Sequence, residues 1–210
     1  MAVQSGVYRG VSAADRAAER RERLLEATLS VWADPDVRTT MTAVCAEAGL
    51  SERYFYESFP SLDDALVAVL DAIAGEIESA REAAVAPVID DPAAAVHAAI
   101  TSFVRLLVDD PRKGRVAIIE ASAMPQLRPR RTALLRHFAH LAAEMADELM
   151  GPRRSEALDD EIAGLIFIGG MAELVTAWLD GALEATPEQL VDAASRSFLG
   201  LYAPADRHAQ

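Results

Sequence analysis

The chain has 210 residues, 51% of them apolar but only 6% aromatic, which disfavours a β-rich architecture because strands draw on β-branched and aromatic side chains. Its formal net charge of −13 argues at first sight against a nucleic-acid partner, which usually needs a basic footprint. A lone cysteine, Cys45, excludes an intramolecular disulfide, and no uninterrupted apolar stretch approaches the roughly 20 residues of a membrane span.

The opening residues, MAVQSGVYRG and Val11, show neither helical periodicity nor the apolar core of a signal peptide, so residues 1–11 are read as a disordered arm and the protein as cytoplasmic, without a membrane partner. Ser12-Ala-Ala-Asp15 resembles a capping box. Behind it Ala17, Leu24, Leu25, Thr28, Leu29 and Trp32 recur at helical spacing as far as Ala33, where Asp34-Pro35-Asp36 breaks the helix. Thr39 or Thr40 caps a second helix, Met41 to Ala48, with Ala43, Val44 and Ala46 mostly inward. Gly49 supplies the left-handed residue that ends it, and Ser51 caps a third. A small residue, a glycine, an apolar residue and a hydroxyl, Ala48-Gly49-Leu50-Ser51, make the tight corner of a helix-turn-helix, so residues 12–60 are expected to form a three-helix DNA-binding domain.

Beyond Phe59-Pro60, Ser61-Leu-Asp-Asp64 caps a fourth helix with a stripe of Leu62, Leu66, Val69, Leu70 and Ile73, running toward Ala84. Asp91-Pro92 and Asp110-Pro111 each set a capping acid before a first-turn proline, predicting helices at about 92–108 and 112–123. Met124-Pro125 closes the latter. Further helices are predicted from Arg128 to Met150, from Leu158 to Leu179, and from Thr186-Pro187-Glu188 to about Leu199. The fold class is all-α: the helix-turn-helix domain followed by a helical bundle over residues 61–210.

Charge is unevenly distributed. Residues 1–60 hold 7 arginines against 9 acids, a net of −2, so most of the acidity lies outside the proposed reading head. The third helix is short and exposed on one face, with a leading edge of Ser51, Glu52, Arg53 and Tyr54 suited to a major groove. Arg53 can pair with guanine or form a surface ion pair, and Tyr54 can meet a thymine methyl or a phosphate. Glu52 can accept from cytosine N4 or simply complement the helix dipole. Thr40 can offer its hydroxyl to phosphate, although capping alone also explains it.

Arg23-Leu-Leu-Glu-Ala-Thr28, Thr39-Thr40, Ala46-Glu-Ala-Gly-Leu-Ser51, Phe55-Tyr56, Phe59 and Ser61 together resemble the TetR family of regulators over about residues 15–70. The resemblance implies a homodimer whose last two helices build an intersubunit four-helix bundle, with effector pockets between the middle helices. It implies that Tyr56 donates to a backbone phosphate while Phe55 and Phe59 anchor the helix inward; a tyrosine merely sealing the small core is the alternative. It adds Ser61, at the opening of the fourth helix, to the DNA-facing set. Two positions depart from the family. Leu62 stands where lysine commonly grips phosphate, and Asp34-Pro35-Asp36-Val37-Arg38 replaces a glycine-containing turn. Arg38 can compensate there, as can Arg9, Arg16 and Arg20 near the N-terminus.

Phe103, Leu107, Ile118, Met124, Phe138, Leu141, Met145, Ile166 and Phe167 are spread over four predicted helices and can line an apolar effector cavity; ordinary core packing explains them equally well. Arg105, Glu120, His137 and Glu173 are possible polar fixtures or surface charges. Ile162, Leu165, Ile166, Gly169, Gly170, Glu173, Leu174, Ala177 and Trp178 form an apolar band wider than one core face requires. With Leu190, Ala194, Phe198 and Leu201 it is the candidate dimer interface, intramolecular packing being the alternative. His137 and His140 bind metal only if carboxylates converge from another helix, and no second motif supports that. Neither a nucleophile elbow nor a glycine-rich phosphate loop occurs, so no enzyme, metal or cofactor is expected. The sequence thus points to a repressor that binds double-stranded operator DNA and is released by a small, largely apolar effector. The competing reading is a helical ligand-binding or interaction module without specific DNA binding.

Overall fold

In the computed structural model, which describes residues 12–151 and 157–202, helix α1 (Ala13–Ala33) opens on a reciprocal cap. The Ser12 N–H donates to Asp15 Oδ2 at 3.0 Å, and the Asp15 N–H donates to Ser12 Oγ at 3.0 Å, satisfying two of the donors that a helix start leaves without partners. The arm expected over residues 1–11 lies outside the described residues. At the other end of α1, the Asp34 carboxylate accepts the Asp36 N–H at 2.9 Å and shapes the Asp-Pro-Asp turn. Helices α2 (Met41–Ala48), α3 (Glu52–Ser58) and α4 (Leu62–Val85) follow.

Residues up to Ala72 pack as one compact unit and those from Ile73 on as a second, the division falling within α4. In the first unit α1, α2 and α3 all touch one another. Leu24, Val44 and Phe55 are fully buried between them, with Ala27, Val31, Cys45, Ala48, Phe59 and Ala65 around them. Burying side chains as large as leucine or phenylalanine contributes about 1.5–3 kcal/mol each, and the leucine, valine and phenylalanine here come from three different helices. Thr28, the buried polar residue in α1, donates its hydroxyl to the Leu24 carbonyl at 2.6 Å.

The second unit contains α5 (Pro92–Asp109), α6 (Pro111–Gly114), α7 (Ala121–Ala123), α8 (Arg128–Met150), α9 (Ala157–Leu179) and α10 (Pro187–Tyr202). Among the described residues there is no strand, and the architecture is all-helical. Asp91 and Asp110 cap α5 and α6 ahead of their prolines, as their spacing predicts. The core joins Ala95, Val96 and Val104 of α5, Ala146 of α8, and Phe198 and Tyr202 of α10. Phe167 stands edge-on to Phe198 at 5.1 Å, and Phe198 lies 4.7 Å from Tyr202. Tyr202 is fully buried, which explains why α10 continues past the expected end at Leu199.

One feature departs from the sequence reading. The helix predicted over 112–123 is interrupted by a π-helical segment, Arg115–Glu120. Val116 to Ile119 is an unbroken apolar run, so it carries no periodicity from which a widened turn could be read. Within this chain a Cβ on Gly169 or Gly170 of α9 would have nothing within 4 Å, whereas one on Gly164 would stand 2.5 Å from the Ala139 carbonyl oxygen of α8. By length and composition α5 and α9 are apolar enough to cross a membrane; α5 packs on α10, and α9 packs on α8 and α10.

Candidate nucleic-acid interface

The corner between α2 and α3 is built by backbone geometry. Gly49 adopts φ +61° and donates its N–H to the Ala46 carbonyl at 3.1 Å, while the Leu50 N–H reaches back to Cys45 at 3.0 Å. This is the left-handed closure that favours glycine and ties off the last carbonyls of a helix. Burial, and then the nearby Glu52 charge, push the Cys45 thiol up, as befits a packed cysteine. Ser51 occupies the cap position of α3, but its hydroxyl makes no cap bond, contrary to expectation. Its carbonyl instead accepts from Tyr54 at 2.9 Å and Phe55 at 3.2 Å. The Ser51 side chain is exposed at the leading edge of the helix.

Phe55 and Phe59, one turn apart, point inward with ring centres 5.8 Å apart and fix how α3 is rotated. Glu52, Arg53 and Tyr56 therefore face outward. The Arg53 side chain is 84% exposed and donates from Nε to Glu57 Oε1 at 3.0 Å, one turn along the same helix. Tyr54 is 38% and Tyr56 58% exposed. The Arg20 guanidinium lies over the Tyr54 ring at 4.6 Å, so α1 supports the leading edge of α3. Tyr56 meets Phe55 edge-on at 5.8 Å, which orients its ring while leaving the residue exposed.

The remaining DNA-facing candidates differ in availability. Arg38 is exposed and, among the described residues, has no ion pair. Thr40 accepts the Ala43 N–H at 3.2 Å as the cap of α2, leaving its hydroxyl proton free to donate elsewhere. Ser61 donates its proton to Asp64 Oδ2 at 2.6 Å, so that proton is already engaged. Leu62 is half-buried against the core of this unit, which accounts for an apolar residue there.

In the second unit the nine effector candidates differ in burial and surroundings. Met145 belongs to the core cluster against which Phe103 and Phe167 pack, and Leu107 is buried. Met124 and Leu141 are half-buried, the Phe138 ring is tilted against that of His137 with centres 5.5 Å apart, and Ile166 is exposed. A cavity of about 220 Å³ is lined by Ile118 from that group together with Ile119, Ser122, Arg131, Leu135, Gly169, Ala172, Glu173 and Thr176. Of the polar fixtures, Glu173 lines this cavity. Glu120 pairs with Arg115 at 3.1 Å, His137 pairs with Glu78 at 2.9 Å, and Arg105 is exposed. Among the described residues no three His, Cys, Asp or Glu side chains gather at one point. Of the dimer candidates, Ile162 and Gly170 are exposed, while Leu174 and Trp178 are half-buried. The Trp178 Nε1–H donates to the Ala185 carbonyl at 3.1 Å. Leu190 and Phe198 lie within their own chain's core.

No family model matches the chain, and neither does any curated protein. Solved structures do match it. A TetR-like transcriptional regulator from Rhodococcus sp. RHA1 covers 89% of this chain and 97% of its own length, with a TM-score of 0.67 at 19% identity. The chain has the fold of the TetR-like transcriptional regulators. The fatty acid degradation regulator FadR from Bacillus halodurans matches 90% of this chain and 97% of its own, with a TM-score of 0.70 at 17% identity. FadR from Bacillus subtilis, solved in complex with stearoyl-CoA, matches 87% and 97%, with a TM-score of 0.67 at 18% identity. Identities this low carry the TetR-like fold alone. Arg131, within the basic run Arg128-Pro-Arg-Arg131, lines the cavity, a placement its sequence position alone does not reveal.

Proposed function

We propose that this protein is a ligand-responsive, DNA-binding transcriptional regulator: a cytoplasmic homodimer that occludes a pseudo-palindromic operator and leaves it when a small, largely apolar effector binds. The observation that carries the reading is the outward face of α3, where Arg53, Tyr54 and Tyr56 are exposed on a helix locked by Phe55 and Phe59. A short helix so presented suits a major groove, with Arg53 positioned for guanine and Tyr56 for phosphate. The exposed stripe Leu158, Ile162, Leu165 and Ile166 on α9 supports a second copy as its cover. The stearoyl-CoA held by the Bacillus subtilis FadR is a precedent for a ligand in this fold. Helix α4 belongs to both compact units and is our proposed carrier of the signal from effector to reading head.

A second reading, a helical ligand-binding module without specific DNA binding, is favoured by Leu62 and by the acids Glu52 and Glu57 on α3. A salt-dependent gel shift on the DNA flanking the protein's own gene separates the two. Arg53→Ala and Tyr56→Phe should each weaken a specific shift, and full affinity in both variants would refute the reading face. Linkage requires operator to weaken effector binding by the same factor as effector weakens operator binding.

A further inference from the structure

Residues 111–136 form a basic island in an acidic domain, with 7 lysines and arginines against a single acid, whereas residues 61–210 as a whole carry −11. Several of these cations are matched within the fold: Arg112 by Asp110 at 2.8 Å, Lys113 by Glu76, and Arg115 by Glu120 at 3.1 Å. Arg131 is not. Among the described residues it has neither an ion pair nor a hydrogen bond, and it is half-buried at the wall of the cavity of about 220 Å³. Ser122 and Thr176 at that wall donate their protons to the carbonyls of Ile119 and Ala172, at 2.6 and 2.9 Å, and so have no hydroxyl proton left for a ligand. Among the described residues, Arg131 is the one cationic side chain lining the space.

The apolar side of the cavity depends on the π-helical segment. Ile118 and Ile119 are adjacent in sequence, yet both line it, with Leu135 of α8. Neighbouring residues of a regular helix diverge, and local widening is a known way to bring an unusual pair of side chains to a site. Glu173, exposed on α9 at the same cavity, repels a second negative charge and can accept a proton donor. Size limits the occupant too: an apolar cavity of about 150 Å³ takes up benzene, and drug-sized sites begin near about 300 Å³.

We infer that this cavity binds a small organic monoanion of about one ring, its carboxylate paired with Arg131 and its apolar body against Ile118, Ile119 and Leu135. The pairing supplies the fork geometry that a guanidinium favours and neutralises a half-buried charge. That this monoanion is the effector rests on the regulator reading above; that it binds does not.

Calorimetric titration of the full chain with benzoate, with benzamide as the uncharged isostere, tests it. Benzoate binds, and benzamide binds about tenfold more weakly or worse, since the amide cannot form the charge-assisted pair. Arg131→Gln removes benzoate's advantage, Glu173→Gln tightens benzoate, and Arg136→Gln, exposed on the same helix, changes neither. Thermal melts of the three variants establish that each is folded. Equal affinities for benzoate and benzamide, undiminished benzoate affinity in folded Arg131→Gln, or no heat up to about 10 mM benzoate would each overturn the site. Stearoyl-CoA binding with benzoate excluded would overturn it as well. A gel shift without ligand runs in parallel: operator binding without benzoate binding sinks this inference alone, and benzoate binding without operator binding sinks the regulator reading alone.

Discussion

Arg23 of α1 donates from Nη2 to the carbonyl of Ala48, the last residue of α2, at 2.6 Å. That carbonyl is among the terminal acceptors a helix cannot satisfy internally. The same guanidinium nitrogen lies 3.5 Å from where a Cβ on Gly49 would stand, so one side chain braces the corner from which α3 departs. Replacing it by methionine keeps the stem and removes the donors. Arg23→Met should lower stability by about 1–2 kcal/mol, read as a smaller urea midpoint at unchanged slope. An unchanged midpoint would mean that water serves the Ala48 carbonyl equally well.

The α8–α9 contact is decided at Gly164. A methyl group there would sit 2.5 Å from the Ala139 carbonyl oxygen and 3.0 Å from the Ala139 Cβ, and both belong to the packed face of α8. Neither can rotate away. Gly164→Ala should destabilise the protein by about 1–3 kcal/mol through overpacking. Gly169→Ala, with open space around it, should gain about 0.5–1 kcal/mol from helix propensity. Thermal melts of the two variants would show the opposite signs, and a shift in the same direction would contradict this account of the contact.

Caps and corners were legible because they are local. Asp15 lies three residues from Ser12, Asp110 adjoins Pro111, and Gly49 follows an apolar helix, so each could be read from spacing alone. Which glycine faces a neighbour was not legible, since Gly164 and Gly169 differ only in what packs opposite them. The inward turn of α3 could be read from Phe55 and Phe59, yet the pairing of Arg53 with Glu57 shows that an exposed arginine meets its own helix first. The cavity was hidden for a further reason: its apolar wall rests on a π-helical segment inside a uniformly apolar run, and its cation comes from a stretch that reads as surface.

On the proposed reading, Glu57 competes with DNA for Arg53. Its carboxylate takes the Arg53 Nε–H at 3.0 Å and lies 3.9 Å from Arg20. Exposed pairs one turn apart are worth only about 0.3–0.5 kcal/mol, so a base or phosphate can displace it, but the negative charge stays beside the duplex. On the proposed reading, Glu57→Gln should tighten operator binding by about two- to fivefold, measured by anisotropy at fixed salt. Weaker binding would assign Glu57 the opposite role, that of holding Arg53 in its reading conformation.

Asp110 makes stability depend on acid in a predictable direction. A hydrogen bond from the Arg112 side chain holds its carboxyl below the usual carboxylate value, with the Arg112 charge adding to the effect and burial opposing it. The contact is forked, Nε to Oδ1 at 2.9 Å and Nη2 to Oδ2 at 2.8 Å, and the Arg112 N–H also reaches Oδ1 at 3.2 Å. Because the folded value lies below the unfolded one, the contribution is complete above the ordinary pKa of about 3.9 and is lost as pH falls through the folded value. Asp110→Asn keeps a capping oxygen and removes the charge. It should cost about 0.5–1 kcal/mol at neutral pH, and the gap to wild type should close as the solution is acidified below about pH 4. A gap that stays constant across that range would place the loss in the geometry of the cap and not in the ionised pair.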